Sequence, residues 1–183
     1  MIAHILHLVQ AEVKVKRMKE VLIRLFRQKA WADDALLNAL GKLGDRSPVT
    51  ALALKALGHS YIVDRIFAAH LRGASHGFRS ANPVEAPALD ELSRDIRASD
   101  QEYIDYVTKL EAAQLAEQID FTFTDGAKGR MSREEMLFHV ITHGVGHRGQ
   151  VSAEMLLHDL PAVADGFATY LHQAEPAARR RAA

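Results

Sequence analysis

Apolar residues recur every third or fourth position through four long stretches, a period that helices packed side by side can bury. Over residues 18–43 the stripe is Leu22, Leu25, Leu36, Leu40 and Leu43, with Gly41 and Gly44 marking its end. Ser47 and Pro48 offer an N-cap and a first-turn proline for a second helix, which runs to about Arg72 and stops at Gly73. A loop rich in Gly, Ser, Asn and Pro spans residues 74–87. The third helix covers residues 89–110, with Leu92, Ile96, Tyr103, Tyr106, Val107 and Leu110 as its apolar members. Residues 119–123 alternate and are β-branched or aromatic, and Asp125 and Gly126 turn the chain, which predicts a small hairpin. Ser132-Arg133-Glu134-Glu135 is a capping box opening a fourth helix, which Asp159-Leu160-Pro161 breaks after about His158. A short amphipathic piece follows at residues 167–171. The expected class is all-α: a four-helix bundle with a small β-hairpin before the last long helix.

The 183 residues suit one domain, long enough to bury ~68–70% of the surface of the unfolded chain. There is no internal repeat and no linker. Residues 18–172 form the bundle, residues 173–183 a flexible tail, and residues 1–17 either an extra helix packed on it or a loose extension. Lys+Arg and Asp+Glu both number 23, so the global positive excess that nucleic-acid binding draws on is missing. Zero cysteines exclude disulfides, iron–sulfur clusters, thiolate zinc sites and a catalytic thiol. No apolar run approaches the ~20 residues of a membrane span, and no basic lead precedes the apolar N-terminus, so the expectation is a cytoplasmic protein without a membrane partner. Charge is uneven: residues 11–30 hold seven Lys/Arg against two Glu, and residues 85–120 hold ten Asp/Glu against three Lys/Arg. The two stretches either lie side by side, pair across a dimer, or form two solvated faces.

Histidine is the unusual residue, at 10. His139, His143 and His147 stand at i, i+4 and i+8 of the fourth helix, on one face with Met136, Gln150 and Glu154. Leu137, Phe138, Ile141, Val145, Met155 and Leu156 form the opposite, anchoring side. Chance gives such a chain roughly half an i, i+4 pair, whereas a triple arises in roughly 3% of chains, so the triple carries weight. His59 sits within the apolar stripe Leu52, Ala56, Val63 and Ile66 of the second helix, where an unpartnered imidazole is costly. Two imidazoles one turn apart and a third from a facing helix make a nitrogen set suited to Zn²⁺ or Ni²⁺, with positions left open. Gly144, Gly146 and Gly149 weaken the same helix by ~1 kcal/mol each, which fits close approach of a ligand or of a neighbouring helix.

His143-Gly144-Val145-Gly146-His147-Arg148-Gly149-Gln150 resembles the His-x-x-x-His-Arg-Gly-Gln signature of the DinB-like (damage-inducible, YfiT-related) family of metal-dependent proteins. Leu57-Gly58-His59, Trp31-Ala32, and Phe167 with Tyr170-Leu171 are similar to its other landmarks, in order, over residues 18–172. The resemblance implies an up-down-down-up bundle, commonly a homodimer, and a zinc or nickel site whose ligands are His59, His143 and His147. His139 then lies nearby, behind the ligands or in the core. Where the family often has Tyr-Asn ahead of its tryptophan, this chain has Gln28 and Lys29. Lys29 and Asp33 interrupt the stripe of the first helix and point inward, either into a pocket or as an i, i+4 ion pair at the stripe edge.

Relatives with known activity include thiol S-transferases and a thiol-dependent isomerase. The resemblance therefore implies a small-molecule substrate and a low-molecular-weight thiol cosubstrate, which the metal activates. Arg148 or Lys29 would bind an anionic group, or Arg148 would tie helices together. Metal-dependent hydrolysis competes, but the His-x3-His pair lacks the intervening glutamate of zinc proteases, and Glu154 lies ~10 Å beyond His147 along the axis. A non-catalytic metal-binding module predicts saturated coordination and no adjoining cavity. Histidines on a solvated face, with no metal, leave His59 unexplained.

Overall fold

In the computed structural model the chain is described over residues 2–43 and 47–179. Helix α1 covers Ile2–Leu43, α2 Pro48–Leu71, α3 Leu89–Lys109 and α4 Arg133–Leu157. The order of contacts fixes the bundle. Phe26 stacks on Tyr103, Lys29 meets Asp100 and Asp34 meets Arg97, so α1 and α3 run antiparallel. Arg65 pairs with Glu102 and the Tyr106 hydroxyl donates to the Leu71 carbonyl, so α2 and α3 run the same way. His59 faces His143 while Phe67 faces His139, which sets α4 antiparallel to α2. This is the up-down-down-up arrangement, and the parallel α2–α3 pair is why a long connection, residues 72–88, is needed between them.

Local signals act largely as expected. Ser47 holds the N-cap position before Pro48, though its side chain makes no capping bond. Gly73 adopts a left-handed φ of 65° just past α2. The Ser132 side chain accepts from the Glu135 backbone N–H, and the Glu135 carboxylate accepts from that of Ser132. Asp159, at φ 56°, turns the chain out of α4. Strands β1 (Gln118–Thr122) and β2 (Lys128–Ser132) pair antiparallel, with Phe121 opposite Gly129.

Helix α1 ends at Leu43, as expected, and Gly44 lies outside the described residues. Other expectations need correction. Residues 2–17 are not a separate helix: they continue α1, which at 42 residues is ~63 Å long beside ~38 Å for α4. The tail is not wholly irregular either, because α5 (Phe167–Ala174) is followed by a helical turn, α6 (Pro176–Arg179), and Glu175 between them pairs with Arg24. A 3₁₀ turn at Ala112–Ala116, which no periodicity announced, links α3 to β1.

The core is divided. One apolar cluster gathers Leu22, Phe26, Val63, Phe67, Tyr103 and Val140, and a second gathers Leu36, Leu40, Ala53, Leu57, Ile96 and Val151. Between them lies a buried charged layer made of Lys29, Asp33, Asp64, Asp100 and Arg148. Among the described residues, no helix is long and apolar enough to cross a membrane.

Candidate metal centre

The helical period of α4 puts His143 and His147 one turn apart, and the antiparallel packing of α2 brings His59 against both. Nε2 of His143 lies 3.2 Å from Nε2 of His59 and 3.2 Å from Nε2 of His147. One nitrogen from each of the three falls within 4.8 Å of the others, so this group could hold a metal ion. Two nitrogens that share a tetrahedral ion at ~2.0–2.1 Å are themselves roughly 3.4 Å apart, which the two 3.2 Å spacings about His143 match.

Two features prepare these rings as ligands. The Nδ1–H of His59 donates to the Ala81 carbonyl at 3.0 Å, which leaves Nε2 with a free lone pair turned toward the other two rings. Gly58 lets the loop come this close: a Cβ there would already touch Pro83 and Pro87 at 3.4 Å. Burial, then the neighbouring His147 and His59, pushes His143 down to about 4, and His147 is lowered by burial and by His59. Both are thus held as neutral imidazoles, the form that binds metal.

The expected anchoring side of α4 holds in part: Leu137, Ile141 and Met155 are buried, but Val145 and Leu156 are 43% and 60% exposed, and Met136, Val140, Gly144, Arg148 and Val151 are buried instead. Two neighbours, α1 and α2, shift the buried arc, so that the half-buried imidazoles stand at its edge against α2. His139 is half-buried, its ring 4.5 Å from that of Phe67 and 5.4 Å from that of His143; burial lowers its pKa. It lines a cavity beside the site.

Two cavities meet at the imidazoles. One, of about 190 Å³, is apolar, with walls that include Val63, Ile66, Phe67 and Phe121 and with His59 and His143 at one end. The other, of about 530 Å³, is an open groove that includes Leu52, Lys55, Asn82 and Gln150 and reaches His59 and His147. Saturated coordination without an adjoining cavity, the expectation for a purely structural site, does not describe this arrangement. The wall residues Phe67, Phe121 and Phe123 escaped the sequence reading, although the alternation of residues 119–123 already put the last two rings on one side of β1.

Lys29 and Asp33 point inward and form the expected i, i+4 ion pair, but within a buried charged layer rather than at a stripe edge or in a pocket. Lys29 Nζ contacts Asp100 at 2.6 Å and Asp33 and Asp64 at 2.9 Å each. Arg148 Nη1 reaches Asp33 at 3.1 Å, and its Nε and Nη2 grip Asp165, at 3.0 and 3.1 Å. Arg148 thus ties α4 to α1 and to the segment before α5. Gln28, in the departure from the family pattern, donates to the Asp165 carboxylate and backbone carbonyl, at 2.7 Å each. Burial opposes the charge on Lys29, but its three carboxylates outweigh it and hold the ammonium well above its ordinary value. Burial pushes Asp64 up to about 6 and Asp100 to about 7.

A model of the DinB family matches residues 15–160. No curated protein matches the chain.

Proposed function

This chain belongs to the DinB family, and on that premise we propose that it is a metal-dependent enzyme of the thiol S-transfer type, in which His59, His143 and His147 hold Zn²⁺ or Ni²⁺. The observation that carries the reading is the convergence of three ring nitrogens on one point where two cavities of different polarity meet. Once bound, a divalent ion lowers the pKa of a thiol and offers positive charge to the resulting thiolate.

The chain's own residues do the rest. His59 is aimed by the Ala81 carbonyl, and burial keeps His143 and His147 neutral and ready to bind. A cysteine-free protein supplies no sulfur, so the thiol comes from a low-molecular-weight cosubstrate. Lys55, Asn82 and Gln150 in the open groove suit a polar or anionic tail on that molecule, and the apolar cavity on the other side holds its electrophilic partner away from water. In the transfer a sulfur–carbon bond forms at the electrophile, the leaving group departs with the electron pair of its broken bond, and the thiol proton goes to solvent. Hydrolysis is the weaker alternative, because Glu154 hydrogen-bonds His158 at 3.2 Å and is engaged away from the imidazoles.

Elemental analysis of the untagged protein tests the reading. Near-stoichiometric zinc or nickel is expected in the parent, with at least tenfold loss in both His59→Ala and His143→Ala. A parent without metal, or variants that keep it, would defeat the proposal. Consumption of small thiols in the presence of electrophiles, against release of acid from esters or amides, then separates transfer from hydrolysis.

A further inference from the structure

The apolar cavity is built from rings. Phe121 is pinned from below by Gly129 across the hairpin, where a Cβ would come within 2.5 Å of the phenyl ring. Phe67 lies with its ring centre 6.0 Å from that of Phe121 and 4.5 Å from that of His139, and Phe123 stands edge-on to Phe121 at 4.8 Å. Val63 and Ile66, one turn apart on α2, complete the walls, and His59 and His143 close the end nearest the metal centre. The space of about 190 Å³ is somewhat larger than the ~150 Å³ apolar cavity that accommodates benzene. Aromatic walls favour a flat ring through offset and edge-to-face contacts.

We propose that this cavity is the binding site for a single aromatic ring, whose substituent points to His59 and His143, and that the electrophile of this enzyme is accordingly a small benzyl-type molecule. The role of the substituent rests on the thiol-transfer reading; the binding of the ring does not. Size favours one substituted ring, and anything that outgrows the space of about 190 Å³ would have to displace Phe123 at the 47%-exposed rim. Charge sets the other limit: neither an ammonium nor a carboxylate side chain lines the cavity, so a charged ring substituent is tolerated only at the histidine end.

The test uses toluene and benzyl mercaptan as probes, with the full-length protein in metal-free and zinc-loaded forms, followed by ligand-observed and protein-observed NMR. Toluene is expected to bind both forms, with shifts centred on Phe67 and Phe121. Val63→Phe, which fills the cavity from α2, should weaken toluene binding at least tenfold while zinc content stays at the parent level. Phe123→Ala, at the exposed rim and therefore harmless to folding, should weaken it about threefold. Benzyl mercaptan, whose sulfur stands in for a metal-directed substituent and not for the electrophile itself, should bind the zinc form at least tenfold more tightly than the metal-free form, and Val63→Phe should remove the part of that binding that the ring contributes. Zinc bound in full but no toluene binding overturns the ring site and spares the metal centre. Toluene bound and displaced by Val63→Phe in a protein that takes up no zinc supports the ring site and sinks the thiol-transfer reading instead.

Discussion

At the scale of single residues, protonation separates this candidate metal centre from an ordinary histidine cluster. Three imidazoles at their usual value near 6.5 would release roughly two protons to an incoming ion at pH 6. Here burial and mutual repulsion have already removed the proton from His143, whose pKa lies at about 4, and have lowered that of His147. Metal binding at pH 6 should therefore release clearly fewer than two protons per ion. Calorimetry in two buffers of different ionisation enthalpy measures this directly, and two or more protons per ion would contradict the geometry. The three histidines were legible in the sequence because the helical period fixes which side chains share a face and because His59 interrupts an apolar stripe. Asp64 and Asp100 were not. A carboxylate within a helical pattern looks like a surface charge until its partner is known, and Lys29 lies 71 positions from Asp100 in the chain.

At the scale of elements, the three glycines of α4 looked alike in the sequence, and the structure divides them. A Cβ on Gly144 would stand 3.2 Å from both Lys29 Cε and Arg148 Nη1, two side chains fixed by ion pairs and unable to retreat. Gly146 has nothing within 4 Å of that position. Gly144→Ala should thus destabilise the metal-free protein by about 1–3 kcal/mol through overpacking, while Gly146→Ala should stabilise it by about 0.5–1 kcal/mol by removing backbone freedom from the unfolded chain. Urea denaturation of the two variants side by side checks this, and equal effects would mean that close packing at Gly144 is not what its missing side chain provides. Periodicity and caps made the four helices and the hairpin readable. The 3₁₀ turn and the continuity of α1 were not readable, because a short turn has no period and because Met18 marks where the regular stripe begins, not where the helix does.

At the scale of the whole molecule, a layer of buried charge divides the apolar core in two and links the four long helices across it. Lys29 and Arg148 face Asp33, Asp64 and Asp100 in full burial, with half-buried Asp165 beyond, so carboxylates outnumber cations; burial raises Asp64 and Asp100, and the neighbouring carboxylates add to it. A carboxylate whose folded value lies above its unfolded value near 3.9 binds more protons in the native state, so its contribution to stability falls as pH rises from about 4 to about 7. Asp33 has the opposite sign: Lys29 and Arg148 overcome its burial and lower its value, and its contribution is lost only as pH falls below the usual carboxylate range. Lys29→Met leaves three carboxylates around an apolar side chain and should cost about 3–5 kcal/mol at pH 8, the usual penalty for an orphaned buried charge. The loss should shrink at pH 5, because Asp64 and Asp100 then take up protons more readily in the native state than in the unfolded chain, while Asp33 keeps Arg148. Lys29 also helps to lower His143, so its loss eases protonation of that imidazole and shrinks the penalty at pH 5 in the same direction. Asp100→Asn removes a surplus negative charge in nearly the same shape and should cost about 1 kcal/mol or less. Denaturation of the metal-free proteins at both pH values decides the matter: a Lys29→Met penalty that stays constant or grows on acidification would mean that the charged layer is balanced by something other than these four side chains.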